Sequence, residues 1–410
     1  MSLRLNDGRL ADLSALRTPP LARALALLNG EGEQARLVGG AVRDLLLGLP
    51  ASDFDLATTA TPDVVIARAK AAGIHYAPTG VKHGTVTLIL DGRPIEATTL
   101  RQDVETDGRR AKVRFGRDFA ADARRRDFTI NALSLDAEGV VHDEVGGLDD
   151  LAAGRVRFIG APRQRIREDF LRILRFLRFS ARFGEGGLDP EGFAAAIAER
   201  AGLATLSAER VRAELLKILV APHGPAVVAQ ADGAGLLGAL LGGVLRPARL
   251  KRLAAFEGDA LLRLAALAVV VREDAERLRD RLRLSNLESE RLVAAARALE
   301  TLHGREAPPS LGELRTLLFE RGRGASLDAA ALAQADSGDA RWSAARRFLA
   351  DTPEPRLPFS GADLVARGAP PGRGIGAALK NLQAKWIRAG FPREPERLAE
   401  LLDEAMAELD

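Results

Sequence analysis

The sequence predicts an α+β chain, with a small mixed sheet near the N-terminus followed by helices to the end. Strand signals are confined to roughly the first 160 residues, and from about Ala231 onward the chain runs in Leu/Ala/Arg stretches with helical spacing. A hydrophobic content of 47% with only 4% aromatic residues suits helices packed on Leu and Ala. At 410 residues the chain exceeds what one core usually serves, so two to four domains are expected. The 59 Lys and Arg nearly balance 56 Asp and Glu, so where the charge sits matters more than its total. The absence of Cys excludes disulfides and thiolate zinc sites, and His75 and His83 have no third ligand at a recognisable spacing. The opening MSLRLNDGRLADLS lacks a continuous apolar run, and the longest such run, Leu264 to Val271, is far too short to cross a bilayer. A cytoplasmic protein with no membrane partner is the expectation.

Taken in order, Pro19-Pro20 heads an apolar helix over Leu21 to Leu28, ended by Asn29-Gly30. Ala35 to Val38 reads as a short buried strand. Gly39-Gly40 then permits a tight turn and a close backbone approach to a ligand. Ala41 to Leu47 reads as a brief helix stopped by Gly48 and Pro50. Ser52 to Ala57 reads as a second strand, on which Asp53 and Asp55, two residues apart, would share a face. Paired carboxylates of this kind suit Mg²⁺, a hard cation often bound through one or two carboxylates plus substrate phosphates. Thr61-Pro62 opens another helix, to about Ala72. Val86 to Leu90 and Pro94 to Thr98 read as strands joined by an Asp91-Gly92 hairpin. Residues 102–118 are polar, with little periodicity, and read as a long loop. A basic cluster, Arg124-Arg125-Arg126-Asp127, follows. Ala161 to Arg182 reads as one strongly basic amphipathic helix. Ser207 heads a further helix as its N-cap, His223 stands at a helix end, and Ser285-Asn286-Leu287-Glu288 is a capping box.

The segments GGAVRDLLLG and DFDLATTATPDVV resemble the signature of the class II tRNA nucleotidyltransferases and bacterial poly(A) polymerases, within the polymerase-β nucleotidyltransferase superfamily. RRDFTINAL, DEVGGLDDLAAGRVRFIG, REDFLR, LSAERVRAELLKILVA and the tail FSGADLVARGAPPGRGIGAALKNLQAKWI extend the resemblance to the C-terminus. It implies template-free addition of nucleotides to an RNA 3′ end, with CTP, ATP and the tRNA 3′ end as partners and Mg²⁺ as cofactor. It further implies a nucleotidyltransferase head over 1–150, a helical neck over 151–232, a body over 233–345 and a tail over 346–410. Asp53 and Asp55 would be the catalytic metal ligands. Glu96, in the second hairpin strand, is either a third acidic ligand or a structural residue. Nucleotide binding would fall to Gly40, Arg43, Arg125, Arg126, Asp127 and Asn131, and base reading to Glu168, Asp169 and Arg172. RNA contacts would come from Arg175, Arg178, Arg373, Lys380 and Lys385. The loop at 102–118 corresponds to one that helps the family switch from C to A addition.

The base-reading motif has a simple chemistry. Ionised Asp only accepts hydrogen bonds and Arg only donates. Cytosine and adenine each present an amino donor beside a ring acceptor, so both match an Asp–Arg pair. Uracil and guanine reverse the pattern. Asp169 and Arg172, as i and i+3 of one helix, would point into one pocket, and Glu168 would steady Arg172 from one turn before it. Three readings remain: CCA addition to tRNA, poly(A) or partial C- or A-addition, and a non-catalytic RNA binder. The segment PTGVKHGTVT, the 102–118 loop and the Gly-rich tail turn favour the first. A binder has no need of two carboxylates, a Gly-Gly turn and a base-reading pair together.

Overall fold

A computed structural model describes residues 3–51, 53–107, 110–185, 187–370, 372 and 374–407. Two compact units divide the chain, Met1–Gly242 and Gly243–Asp410. In the first, β1 (Leu5–Asn6) and β2 (Arg9–Leu10) form a short antiparallel ladder. Next come β3 (Ala35–Val38), β4 (Asp55–Thr58), β5 (His75–Gly80), β6 (Thr85–Leu90) and β7 (Arg93–Thr99). They are followed by β8 (Arg101–Asp107), β9 (Arg110–Phe115), β10 (Ser134–Leu135) and β11 (Val141–His142). Seven of these make one sheet in the order β11-β10-β3-β4-β7-β6-β5, in which β4 and β7 are parallel and every other pair antiparallel. This is the expected small mixed sheet, and among the described residues no strand follows His142.

The sheet has a covered and an open face because its hairpin alternates. Val86, Leu88 and Leu90 of β6 and Ile95 and Ala97 of β7 are buried, and helices Pro19–Leu28 and Pro62–Ala71 pack against these strands. Intervening residues, Glu96 among them, project to the other side. The turn between β6 and β7 has positive φ at both Asp91 (51°) and Gly92 (75°), as a two-residue type I′ hairpin requires.

The structure departs from the sequence reading at several places. The strand expected from Ser52 begins at Asp55, because its partner β3 ends at Val38, opposite Asp55, where Gly39 turns the chain into a helix. Asp53 therefore precedes the strand, and strand alternation does not fix it beside Asp55; Ser52 lies outside the described residues. An unanticipated strand, β5, forms the sheet edge, with a register shift between Ala77 and Gly80; the edge tolerates Pro78. The supposed loop at 102–118 is largely a β8–β9 hairpin. Charged residues at alternate and adjacent positions hide its period; Gly108 and Arg109 are outside the described residues. Finally, the single helix expected over 161–182 is two, Pro162–Glu168 and Leu171–Phe183.

The second unit is helical throughout its described residues. Ser285 and Glu288 close the anticipated capping box: the Ser285 backbone N–H donates to Glu288 Oε2 at 2.7 Å, and the Glu288 N–H to Ser285 Oγ at 3.3 Å. Buried Arg249 donates to the carbonyls of Ala265 (2.8 Å), Ala266 (2.6 Å) and Val269 and to Asp336 (3.1 Å). These carbonyls lie at the C-terminal end of helix Ala260–Ala268, where that of Ala265 also accepts the Val269 N–H at 2.9 Å. Near the C-terminus, Leu364, Leu382, Trp386 and Phe391 form a core between short helices. Lys380 is exposed on helix Gly374–Arg388, whereas Lys385 lies near Glu404 at 3.8 Å. Arg373 is outside the described residues.

Candidate active site

The site grows from the edge where β3 and β4 stop pairing. Gly39 takes φ 75° and ψ −137°, and a Cβ there would stand 3.0 Å from Arg126 Nη1. The positive φ favours glycine here, and a Cβ would also press on the tip of a guanidinium. In the parallel ladder Asp55 is in register with Glu96, and in-register neighbours project to the same side. Both face the open side of the sheet. Asp55 is exposed at the start of its strand, yet the protein around it displaces part of its water and pushes its carboxyl above the usual carboxylate range; the charges of Glu96 and Asp53 push it further, and Arg126 pulls it back. A cation would relieve that repulsion. Among the described residues no group of three or more acidic or His side chains gathers into a ready metal cage. The in-register carboxylates of Asp55 and Glu96 fit an ion that takes one or two carboxylates and completes its shell from phosphates and water.

Beside these carboxylates, a chain of charged contacts crosses the unit. Arg43 is buried on helix Gly40–Leu46. It donates to Asp44 Oδ1 from Nε (2.9 Å) and Nη2 (2.8 Å) and to Asn131 Oδ1 from Nη1 (2.5 Å), and lies 4.2 Å over the Phe183 ring. Asn131 Nδ2 donates to Asp127 Oδ1 at 3.3 Å. Asp127 Oδ2 accepts from Arg175 Nε (2.7 Å) and Nη2 (2.6 Å). The sequence reading placed Arg175 against RNA; in the structure its partner is Asp127. Arg178 similarly pairs with Glu214 at 2.7 Å.

Sequence reasoning missed Asp122, which organises the basic cluster. It is buried on helix Phe119–Arg124. Its Oδ1 accepts from Arg125 Nε (2.8 Å) and Nη2 (2.5 Å), and its Oδ2 from Arg126 Nε (3.3 Å) and Nη2 (3.2 Å). The available signal was its position, three and four residues before two arginines.

A cavity of about 860 Å³ opens onto Gly39, Gly40, Arg43, Asp55, Arg126, Asp127 and Asn131, with Arg175, Arg178 and Arg182 from helix Leu171–Phe183 across from them. Lys217 and His223 also line it. His223 occupies the start of helix Gly224–Gly233, makes no side-chain cap, and belongs to the cavity wall instead. Ser207 likewise sits at a helix N-cap position, but its hydroxyl makes no capping bond.

Glu168, Asp169 and Arg172 are not among the residues lining this cavity. Asp169 has extended φ −156° and ψ 109°, and its Oδ1 accepts the Leu171 N–H at 3.0 Å. A short carboxylate bonding its own backbone breaks the helix there. Phe170 then fills the space above Gly202, where a Cβ would stand 2.0 Å from the ring. Asp169 and Arg172 therefore do not stand at i and i+3 of one continuous helix. The Glu168–Arg172 ion pair does form, at 2.6 Å. Asp169 Oδ2 accepts from Arg210 Nη2 at 2.7 Å, a partner from helix Ala208–Val220 that sequence reasoning did not supply.

Residues 35–157 match the family model "Poly A polymerase head domain", and residues 188–244 match "Probable RNA and SrmB- binding site of polymerase A". The chain is 34% identical over 397 residues to the human mitochondrial CCA tRNA nucleotidyltransferase 1, covering 94% of this chain and 90% of that one. It belongs to the CCA-adding tRNA nucleotidyltransferase and poly(A) polymerase family. Half of the chain is 40% identical to the CCA-adding enzyme of Geobacillus thermodenitrificans, over half of its length. The crystal structure of the Bacillus stearothermophilus CCA-adding enzyme in complex with CTP superposes with a TM-score of 0.73 at 28% identity, over 95% of this chain and 99% of that one. A Thermotoga maritima CCA-adding enzyme complexed with tRNA shares the fold at a TM-score of 0.69 and 22% identity, over 98% and 99% of the two chains. The protein is therefore an enzyme of the CCA tRNA nucleotidyltransferase type, and among its described residues no helix is long and apolar enough to cross a membrane.

Proposed function

We propose that this enzyme completes the 3′ end of tRNA with C, C and A from CTP and ATP, releasing pyrophosphate. The observation that carries the reading is Asp55, set in register beside Glu96 and opening onto a basic cavity. The human relative's name and the CTP complex of the bacillar relative support the substrates. Asp53 and Asp55 would hold two Mg²⁺ ions, with Glu96 adjacent; bound there, they would supply charge stabilisation for the attacking and leaving oxygens. The chain's own groups bind and align. Arg126, held by Asp122 beside Gly39, and Arg43, held by Asp44 and Asn131, present fixed forks to phosphate oxygens. No Ser, Cys or His nucleophile is needed, because the RNA 3′-hydroxyl is the attacking group. The division into head, neck, body and tail at 150, 232 and 345 is part of the same proposal, with the exposed Lys380 of the tail offered to RNA phosphates.

Incubation with tRNA lacking its 3′ trinucleotide, plus CTP and ATP, should give growth by three residues and then arrest, resolved at single-nucleotide length. Long A tails, or arrest after two C residues, would replace this reading by a poly(A) or CC-adding one. Base choice is assigned to Asp169 and Arg172. Arg210 and the Leu171 N–H each occupy only one site on an Asp169 oxygen, so acceptor capacity remains for an exocyclic amine. A bidentate base contact contributes about 1–3 kcal/mol of discrimination. Asp169→Ala and Arg172→Ala should accordingly admit UTP or GTP at about 10- to 100-fold higher relative efficiency. Unchanged selection in both variants would move the reading site elsewhere.

A further inference from the structure

One side chain touches both the basic turn and the base-reading motif. Arg165, on helix Pro162–Glu168, sends Nη2 to the carbonyl oxygens of Arg125 (2.5 Å) and Arg126 (2.7 Å). Its Nη1 donates to Glu168 Oε2 at 2.5 Å, and that same oxygen accepts from Arg172 Nη1 at 2.6 Å. Arg172 Nη1 also donates to the Arg165 carbonyl at 2.7 Å. The Arg165 side chain is only 14% exposed, while Glu168 at its other end keeps 33%. A guanidinium is planar and its donors keep a fixed spacing. The carbonyls of Arg125 and Arg126 are thereby held at a set distance from the carboxylate that aims Arg172.

Carbonyl capping alone would need only one donor group near the end of helix Phe119–Arg124. The arrangement does more, because the other half of the same fork ends on Glu168. Any displacement of the Arg125–Arg126 turn must be passed to Glu168 and so to Arg172. The triphosphate and ribose end of a nucleotide is assigned to the turn, and the base edge to Arg172.

We propose that Arg165 is a positioning residue that sets the span between the turn holding the nucleotide's ribose and phosphates and the side chain reading its base. A base is then accepted only when the reactive end is in place. This rests on the assignment of base reading to Arg172. A lysine at 165 keeps the charge, but a single ammonium does not reproduce the fork. Fold and selection should therefore separate in Arg165→Lys.

The test measures relative efficiency for CTP against UTP, and ATP against GTP, on tRNA lacking its terminal nucleotides, together with thermal melting. Arg165→Met should lose about tenfold in selection, the scale of one base contact. Arg165→Lys should melt close to the parent while losing selection to a similar extent. In an Arg172→Ala background, Arg165→Met should change selection by less than about twofold, since coupled residues are not additive. Three results would overturn the inference: the parent's selection in Arg165→Lys, unchanged selection in Arg165→Met, or an equal loss in both backgrounds. If Arg172→Ala alone leaves selection unchanged, the base-reading assignment itself fails and takes the inference with it.

Discussion

Asp55→Asn is expected to abolish nucleotide addition while leaving the protein folded and as stable as the parent, or more so. Partial loss of water around the exposed Asp55 carboxyl, and then the like charges of Glu96 and Asp53, raise it above its ordinary range. A carboxyl raised in the native state binds more protons there than in the unfolded chain. Stability contributed by this group therefore falls as pH rises through the window between the ordinary and the raised value, and the cost is fully present above it. Asparagine removes the charge and with it the cost. Catalysis moves the other way, because the charge is what would draw Mg²⁺. Loss of metal stabilisation worth several kcal/mol corresponds to at least about 10³-fold in rate. A second readout does not depend on turnover: Mg²⁺ should raise the melting temperature of the parent, by linkage, and raise that of Asp55→Asn much less. Asp53→Ala should share the catalytic loss. Near-normal turnover in either variant would remove that residue from the mechanism.

Much of the catalytic edge was legible in the sequence because short motifs fix short-range geometry. Gly39-Gly40 announced a turn that only glycine can make, and the structure shows both the positive φ and the crowding guanidinium at Gly39. Asp91-Gly92 announced its hairpin for the same local reason. Pairings between distant segments were not legible. The Asp55–Glu96 register depends on a parallel ladder between strands about forty residues apart, which no periodicity encodes. The hairpin over 101–115 was hidden because charges stand where apolar alternation would mark a strand. The break at Asp169 was hidden because Arg, Leu and Phe keep helical spacing through it. Only a side-chain bond to the Leu171 N–H, and the pairing with Arg210 from another helix, show why the chain turns there. Roles inferred from a residue's own type were correspondingly incomplete. Arg175 and Arg178 look like free basic groups in sequence, yet each is anchored by a carboxylate, Asp127 and Glu214.

Asp122→Ala is expected to cost both stability and nucleotide affinity, although no motif singles that residue out. Asp118 caps its helix through the Ala120 and Ala121 N–H groups (2.8 and 3.2 Å), which fixes the first turn and leaves Asp122 facing inward. Its two oxygens then divide between Arg125 and Arg126. Removing one partner of a buried ion pair typically costs about 3–5 kcal/mol, because the remaining charge is left uncompensated. Here the arginines keep 27% and 23% exposure and can partly turn to water, so the lower end, about 3 kcal/mol, applies. For a unit of this size that is a melting decrease of about 6–12 °C. The functional loss follows from the same geometry. Arg126 Nη1 also reaches the Asn131 carbonyl at 3.3 Å and stands beside the Gly39 turn, so its fork is aimed at the cavity only while Asp122 holds its other edge. Freed, it must spend binding energy on its own ordering, and the KM for CTP and ATP should rise by about tenfold or more. Asp122→Asn keeps the shape and an acceptor oxygen but not the charge, and should fall between the parent and Asp122→Ala on both measurements. Melting curves and KM values for the two variants separate the effects. An unchanged KM in a folded Asp122→Ala protein would show that Arg125 and Arg126 do not hold the nucleotide.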